Sequence, residues 1–240
     1  MLAMIAQLIS EGNFHHYFQP IFSFDYGKEI GFEALIRSSK FPNPEKLFQE
    51  AEKENRLYEL DSHSIYKALS TYLFAGSPIL SGSLFVNAFP STILSEKFPS
   101  FLNSIVSDKF FSSQRIVFEL SESEIITDYD ILKERIEWIK SKGCLIAIDD
   151  VGKGYTNVQT LIELEPDFLK LDQYFSRDLY TSTKKQLFID FYVNYCRQNN
   201  IRLILEGIEN SSDMETAKKL GVEMGQGYYL GRPTPLREIV

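Results

Sequence analysis

Six carboxylates, two amides and one lysine fall where short apolar runs stop. Glu33 lies inside the second such run. Asn87 ends the third, and Glu119 ends the fourth with Glu122 just beyond it. Asp149 and Asp150 end the fifth, Lys170 lies in the sixth, Glu206 ends the seventh and Gln226 lies in the last. Taken singly, an acid after a strand can be the N-cap of the next helix. Asp149-Asp150-Val151-Gly152 can be an ordinary turn, and Lys170 a surface residue. Taken together, so many like charges would repel by several kcal/mol unless something cationic sat among them. Lys170 alone does not balance six acids. Hard oxygen ligands in this number suit Mg²⁺ or Mn²⁺. A zinc site is not indicated, because His15 and His16 are adjacent and His63 stands alone in a helical pattern. Two cations sharing a carboxylate would activate water and neutralise a phosphodiester, and the neighbours Asp149 and Asp150 are the natural bridging pair. Arg37, four residues after Glu33, is placed to hold a phosphate.

The elements that would position these residues follow from periodicity. Leu2, Ile5, Ala6 and Ile9 predict an opening amphipathic helix. Tyr17–Phe24 and Glu29–Ile36 flank the turn Asp25-Tyr26-Gly27-Lys28 and predict a hairpin. Pro44 is set to start a helix. Short apolar runs then alternate with helical stretches: one around Ile93–Val106, one in which Leu187, Phe188, Phe191 and Tyr195 share a face, and one opened by Ser212 with Glu215 at capping-box spacing. Alternating strands and helices predict parallel βαβ units. About eight strands, the first hairpin included, predict a (β/α)₈ barrel with an antiparallel start, a doubly wound sheet being the structural alternative. In such a barrel the strand ends open on one face, where the nine polar residues would meet.

The 240 residues suit a single domain spanning 1–240, with 44% hydrophobic residues and no compositional break. The formal net charge of −8 and the absence of a Lys/Arg run argue against long nucleic acids and anionic membranes as partners. Cys144 and Cys196 are too few for a disulfide scaffold, and no signal peptide or membrane-spanning run is expected, so the cytoplasm is the expected compartment.

The ordered motifs carry a likeness. Phe32-Glu33-Ala34-Leu35-Ile36-Arg37 contains the tripeptide that names the EAL domain, the bacterial cyclic di-GMP phosphodiesterase family. Tyr17-Phe18-Gln19-Pro20-Ile21, Val86-Asn87, Phe118-Glu119-Leu120-Ser121-Glu122, Ile148-Asp149-Asp150-Val151-Gly152, Leu169-Lys170-Leu171-Asp172, Leu205-Glu206-Gly207-Ile208-Glu209 and Gln226-Gly227-Tyr228 through Arg232-Pro233 resemble its other motifs in order. The resemblance implies a TIM-type barrel with an antiparallel first strand, and two Mg²⁺ or Mn²⁺ ions per site. It implies that Glu33, Asn87, Glu119 and Asp149 hold one ion, and that Asp149, Asp150 and, more loosely, Glu206 surround the other. It implies that Lys170 positions or deprotonates the attacking water and that Glu122 anchors the loop after Asp150. Gln19, Leu35, Arg37, Glu209, Gln226 and Pro233 match substrate-side positions. The implied reaction opens cyclic di-GMP to linear pGpG, and the implied assembly is a homodimer.

The chain departs from the family at Val151, usually Phe, at Lys153, and at Thr156-Asn157, so a packing anchor of the loop is replaced. The segment Ser38-Ser39-Lys40-Phe41-Pro42 also lacks the usual Trp and His-Pro. A catalytically silent cyclic di-GMP receptor or interaction module is therefore the competing reading. An acid-pair glycosidase fits less well, because it needs two carboxylates and no metal. An enolase-type enzyme with Mg²⁺ and a lysine base is a further alternative.

Overall fold

The computed structural model describes residues 4–74, 82–107, 116–120, 124, 126, 128–152, 158–236 and 239. Strand β1 (His15–Ser23) turns through Gly27, whose φ of 58° is left-handed, into the antiparallel β2 (Lys28–Arg37). From β2 onward the strands are parallel: β3 (Ser83–Ala88), β4 (Ile116–Leu120), β5 (Leu145–Val151), β6 (Phe168–Leu171), β7 (Arg202–Leu205) and β8 (Met224–Gly225). β8 also pairs antiparallel with β1 and closes the barrel in sequence order. The expected barrel with an antiparallel start is thus the observed one, and a doubly wound open sheet is excluded.

The helices are α1 (Met4–Ser10), α2 (Pro44–Lys53), α3 (Leu57–Phe74), α4 (Pro90–Leu94), α5 (Phe98–Val106), α6 (Tyr129–Ser141), α7 (Val158–Leu164), α8 (Gln173–Ser176), α9 (Thr183–Gln198) and α10 (Ser211–Lys219). Pro44 opens α2 as expected, with Asn43 Oδ1 accepting from the Glu45 amide at 2.8 Å. Three expectations need correction. The stretch Ile93–Val106 is two helices, because the chain turns out of helical conformation at Ser95 (ψ 138°) before α5 begins at Phe98. The last helix starts earlier than Ser212: Asn210 is its cap, and its Oδ1 accepts from the Asp213 amide at 2.9 Å. On α9 the core stripe is Ile189, Val193 and Cys196, while Leu187, Phe188 and Phe191 are 66%, 58% and 61% exposed. Leu187, Phe188 and Phe191 of the predicted apolar face therefore look outward, while Tyr195 is half-buried and packs against the core. Of the opening helix, Ile5, Ala6 and Leu8 are buried, and Leu2 lies outside the described residues.

Strand side chains alternate between the barrel interior and the helix layer. Outward-facing residues such as Phe18, Phe32, Phe118 and Leu169 join the helices in one large core. Inward-facing residues form a separate floor: Ile21, Phe85, Val117, Ala147, Phe168, Ile204 and Met224. Phe85 and Phe168 meet edge-to-face there, with ring centroids 5.0 Å apart. This floor is a packed layer, as expected of a barrel of eight strands.

Candidate active site

A strand that points one residue inward points the second-next residue inward too. Two residues past Phe85 is Asn87, past Val117 is Glu119, past Ala147 is Asp149, past Phe168 is Lys170 and past Ile204 is Glu206. Gln226 stands two past Met224. On the antiparallel β1 the order reverses, so Gln19 stands two before Ile21 and pairs across the hairpin with Glu33. The polar residues are therefore one layer above the apolar floor, at the C-terminal mouth. At floor level β2 has Gly31, where a Cβ would come within 2.3 Å of the Ser83 carbonyl oxygen. Only glycine lets β2 lie this close to β3 and raise Glu33 into the ring.

Asp149 and Asp150 are adjacent, so regular alternation would send them to opposite faces. β5 avoids this with one extra residue: Ile148 pairs with Leu169 but Val151 with Leu171. Asp150 takes up the insertion with a left-handed φ of 55°, a conformation that carboxylate residues tolerate better than most. Both acids reach the mouth, and Val151 returns to the outer core fully buried. Beyond it, a Cβ on Gly152 would lie 2.3 Å from the ring of Phe175, so an aromatic from α8 sits against the turn.

Lys170 is 0% exposed and its Nζ is the hub. It lies 2.7 Å from Glu119 Oε1, 2.8 Å from Glu206 Oε1, 3.0 Å from Asp149 Oδ1 and 3.4 Å from Glu33 Oε2. These contacts balance charge but are poorly directed as hydrogen bonds, and Glu119 Oε1 and Asp149 Oδ1 accept none. Asn87 Nδ2 donates to Glu33 Oε1 and to Glu119 Oε2, both at 3.3 Å, and Gln226 Nε2 donates to Glu33 Oε2 at 2.7 Å. Burial pushes the Glu119 carboxyl well above its ordinary range despite Lys170, and pushes Glu206 up to about 8. Burial alone would lower the Lys170 ammonium, but Asp149, Glu119, Glu206 and Glu33 outweigh it and hold it well above its usual value.

With all four carboxylates ionised, one ammonium would leave about three negative charges uncompensated; without further cations, burial relieves this by holding protons on Glu119 and Glu206. Two groups have carboxylate oxygens within 4.8 Å of one another: Glu33, Glu119 and Asp149, and Asp149, Asp150 and Glu206. Asp149 belongs to both. All-oxygen donors with a shared carboxylate, and buried oxygens that accept no hydrogen bond, fit a pair of hard divalent cations.

The rim residues divide. Gln19 is buried and donates to the Gly231 carbonyl at 3.1 Å. Leu35 and Arg37 follow Glu33 upward. The Arg37 guanidinium lies over the Tyr17 ring at 5.5 Å and donates to the Ile36 carbonyl, outside the carboxylate ring. Glu209 is exposed and Pro233 half-buried, and neither is among the contacts of the ring. Glu122 lies outside the described residues.

Beside the ring runs a cavity of about 690 Å³, whose walls include Glu33, Asn87 and Asp150 at one end and Phe48, Phe89 and Glu52 beyond. Sequence reasoning missed this cavity and its paired rings, Phe48 and Phe89. The signal available was an aromatic two residues past Asn87, just over the strand end. It also missed Asp61, fully buried on α3, whose Oδ2 accepts from the Phe89 amide at 3.0 Å and whose carboxyl burial pushes up to about 7.

Comparison with known proteins agrees with the fold. The cyclic di-GMP phosphodiesterase RocR of Pseudomonas aeruginosa is 26% identical over 246 residues, covering 98% of this chain and 61% of RocR. The chain thus spans less than two thirds of that curated relative's length. The crystal structure of an EAL domain protein from Listeria monocytogenes matches with a TM-score of 0.82 at 27% identity, covering 98% of this chain and 94% of that one. BlrP1 of Klebsiella pneumoniae, solved as a manganese and cyclic di-GMP complex, matches with a TM-score of 0.80 at 26% identity over 92% of this chain and 56% of its own. The EAL domain profile matches residues 2–233, and with nearly the whole barrel so accounted for, the chain belongs to the EAL domain family.

Proposed function

We propose that this chain is a metal-dependent phosphodiesterase that opens one phosphodiester of cyclic di-GMP to give linear pGpG. The observation that carries the reading is the Lys170-centred carboxylate ring at the barrel mouth, with Asp149 common to both oxygen clusters. Glu33, Asn87, Glu119 and Asp149 would hold one Mg²⁺ or Mn²⁺ ion, and Asp149, Asp150 and Glu206 the second. Asn87 spends its amide hydrogens on Glu33 and Glu119, which leaves its carbonyl oxygen for the ion. When bound, such a pair lowers the pKa of water and neutralises the phosphodiester.

The chain's own residues do the rest. Gln226 fixes Glu33 from the side opposite Asn87. Lys170 Nζ stands among the carboxylates that would hold the ions, so it is placed to position or deprotonate the attacking water. Water oxygen bonds to phosphorus as the bond from phosphorus to the ribose O3′ breaks; one water proton ends on O3′, and the remaining O–H becomes part of the new 5′-phosphate monoester. Arg37 at the rim would take the anionic oxygens of the substrate, with Gln19 and Leu35 as further substrate-side residues. By likeness to the family, Glu122 would anchor the segment after Asp150, and Glu209 and Pro233 would serve the substrate.

The outward aromatic face of α9, with Tyr174 and Tyr180 near it (61% and 53% exposed), supports a homodimer in which a second copy covers it. Cys144 and Cys196, both buried and unpaired, suit a reducing compartment such as the cytoplasm. Among the described residues no helix is long and apolar enough to cross a membrane.

The test is incubation of micromolar protein with cyclic di-GMP and Mg²⁺ or Mn²⁺, followed by chromatography. Conversion to pGpG that EDTA stops is expected. Binding without any pGpG would leave the receptor reading instead.

A further inference from the structure

The cavity next to the carboxylate ring has walls of two chemical kinds. At its inner end are Glu33, Asn87 and Asp150, the polar ring itself. Farther out, Phe48 on α2 and Phe89 just after β3 face it, both half-buried, with ring centroids 5.0 Å apart and planes tilted by 56°. Phe89 is held in place from behind, because its amide donates to buried Asp61. On α2 the positions 45, 48, 49 and 52 share a helical face, so Glu45, Gln49 and Glu52 line the same cavity as Phe48.

This combination selects its occupant. Glu45 and Glu52 would repel a phosphate, so an anionic end of a ligand is left to the cations and Arg37. Their oxygens accept from N–H groups, and the paired rings, tilted by 56°, offer the face of one ring bordered by the edge of the other. A volume of about 690 Å³ is within the range of small-molecule pockets. The fitting group is a neutral, flat heterocycle with N–H donors on its edge, attached to a phosphate bound at the ring of carboxylates.

We infer that Phe48 and Phe89 form a stacking platform for one purine of the substrate, which makes them specificity-determining residues for the hydrolysis. This rests on the phosphodiesterase reading above and adds to it how a nucleotide is told from any other phosphodiester. Stacking on aromatic side chains is tolerant of base identity, so the platform supplies affinity and the acceptors on α2 supply preference.

The experiment compares two substrates of one metal centre with Mn²⁺, cyclic di-GMP and its base-free analogue, the same cyclic bis(3′→5′) phosphodiester built on 1-deoxyribose, both followed by chromatography. Phe48→Leu and Phe89→Leu keep apolar volume and remove the ring, and Phe48→Tyr keeps the ring. The ratio of kcat/KM for cyclic di-GMP to that for the base-free ester is expected to fall about 10-fold in each Leu variant, through KM, and to hold in Phe48→Tyr. An unchanged ratio overturns the inference while leaving the phosphodiesterase reading intact. If the unaltered chain hydrolyses neither ester, that reading fails, and calorimetric Kd values for cyclic di-GMP with Ca²⁺ decide the platform. A rise of about 10-fold in the Leu variants supports it; an equal Kd, or no binding at all, overturns it.

Discussion

Two layers of the same barrel, one residue pair apart on the same strands, are built in opposite ways. The floor of Ile21, Phe85, Val117, Ala147, Phe168, Ile204 and Met224 is apolar and buried. The mouth above it places Glu33, Glu119, Asp149 and Glu206 around one Lys170. Burial stabilises the first at about 25 cal/mol per Å² of apolar surface. In the second, burial works against every charge, and pairing only partly repays the lost hydration. The rigid floor holds the backbones from which the mouth carboxylates project, so groups that repel one another stay within reach of a shared cation. Stability and chemistry occupy successive inward positions of each strand.

The largest effects should come from breaking the mouth. Glu33→Ala should lower turnover by more than about 100-fold, since the loss of a ligand should exceed the loss of a residue that merely orients one. Cation affinity should fall with it, read by calorimetric titration of Mn²⁺. Lys170→Met should also abolish turnover while retaining cation and substrate binding. Equal loss of binding in the two variants would contradict the role given to Lys170. Because Lys170→Met leaves buried carboxylates without their partner, the metal-free variant should lose about 3–5 kcal/mol of stability at neutral pH, and less in mild acid.

The floor should respond in the opposite sense. Phe168→Ala removes a ring that is 1% exposed and contacts Phe85, with the Arg202 guanidinium 3.7 Å from its centroid. A loss of about 3–5 kcal/mol is expected, read as a lower midpoint in urea, while turnover per folded molecule below the transition is largely kept. A floor variant that lost turnover without losing stability would contradict the division between the layers.

A smaller effect is linkage to pH. Glu206 moves from 4.5 up to about 8 on folding and Asp61 from 3.8 up to about 7. A carboxyl raised in this way binds its proton more tightly in the folded state. Its contribution is complete below the unfolded value and is lost as pH rises through the folded one. His16 runs the other way: burial, more than nearby Lys67, lowers it from 6.5 to about 3, so its contribution is lost as pH falls through that interval. Above pH 6.5 only the carboxyls act. The metal-free protein should therefore lose stability between about pH 6.5 and 8. Saturating Mn²⁺ should remove the part due to the mouth, and Asp61→Asn the part due to α3. A melting temperature flat across that interval without metal would contradict both shifts.

Much of the mouth was legible in sequence because a strand's period is two and its polar residues mark where the inward face leaves the apolar floor. Glu119, Lys170 and Glu206 stood out for that reason, and the hairpin turn at Gly27 announced the antiparallel start. Other features carry no local signal. The bulge that turns Asp150 to the same side as Asp149 depends on the register with β6. Gln226 reaches Glu33 across 193 residues of chain. On α9, Leu187, Phe188 and Phe191 form as apolar a stripe as Ile189, Val193 and Cys196, and helical spacing does not say which stripe meets the core. At α10, Asn210 with Asp213 and Ser212 with Glu215 have the same spacing, and the first pair is the one that caps. Phe48 and Phe89 come together only because α2 packs beside the end of β3.

The central claim is that the mouth is held against the protein's own stability so that it can take cations. Glu119→Gln tests it most directly, with melting temperature measured with and without Mn²⁺ at neutral pH. Glu119 is fully buried with its carboxyl pushed well above the ordinary range, so the amide should raise the metal-free melting temperature, at about 2–4 °C per kcal/mol gained. It should also remove most of the further rise that Mn²⁺ gives the unaltered chain, together with turnover. A variant that melts lower without metal and still gains the full rise with Mn²⁺ would contradict the account.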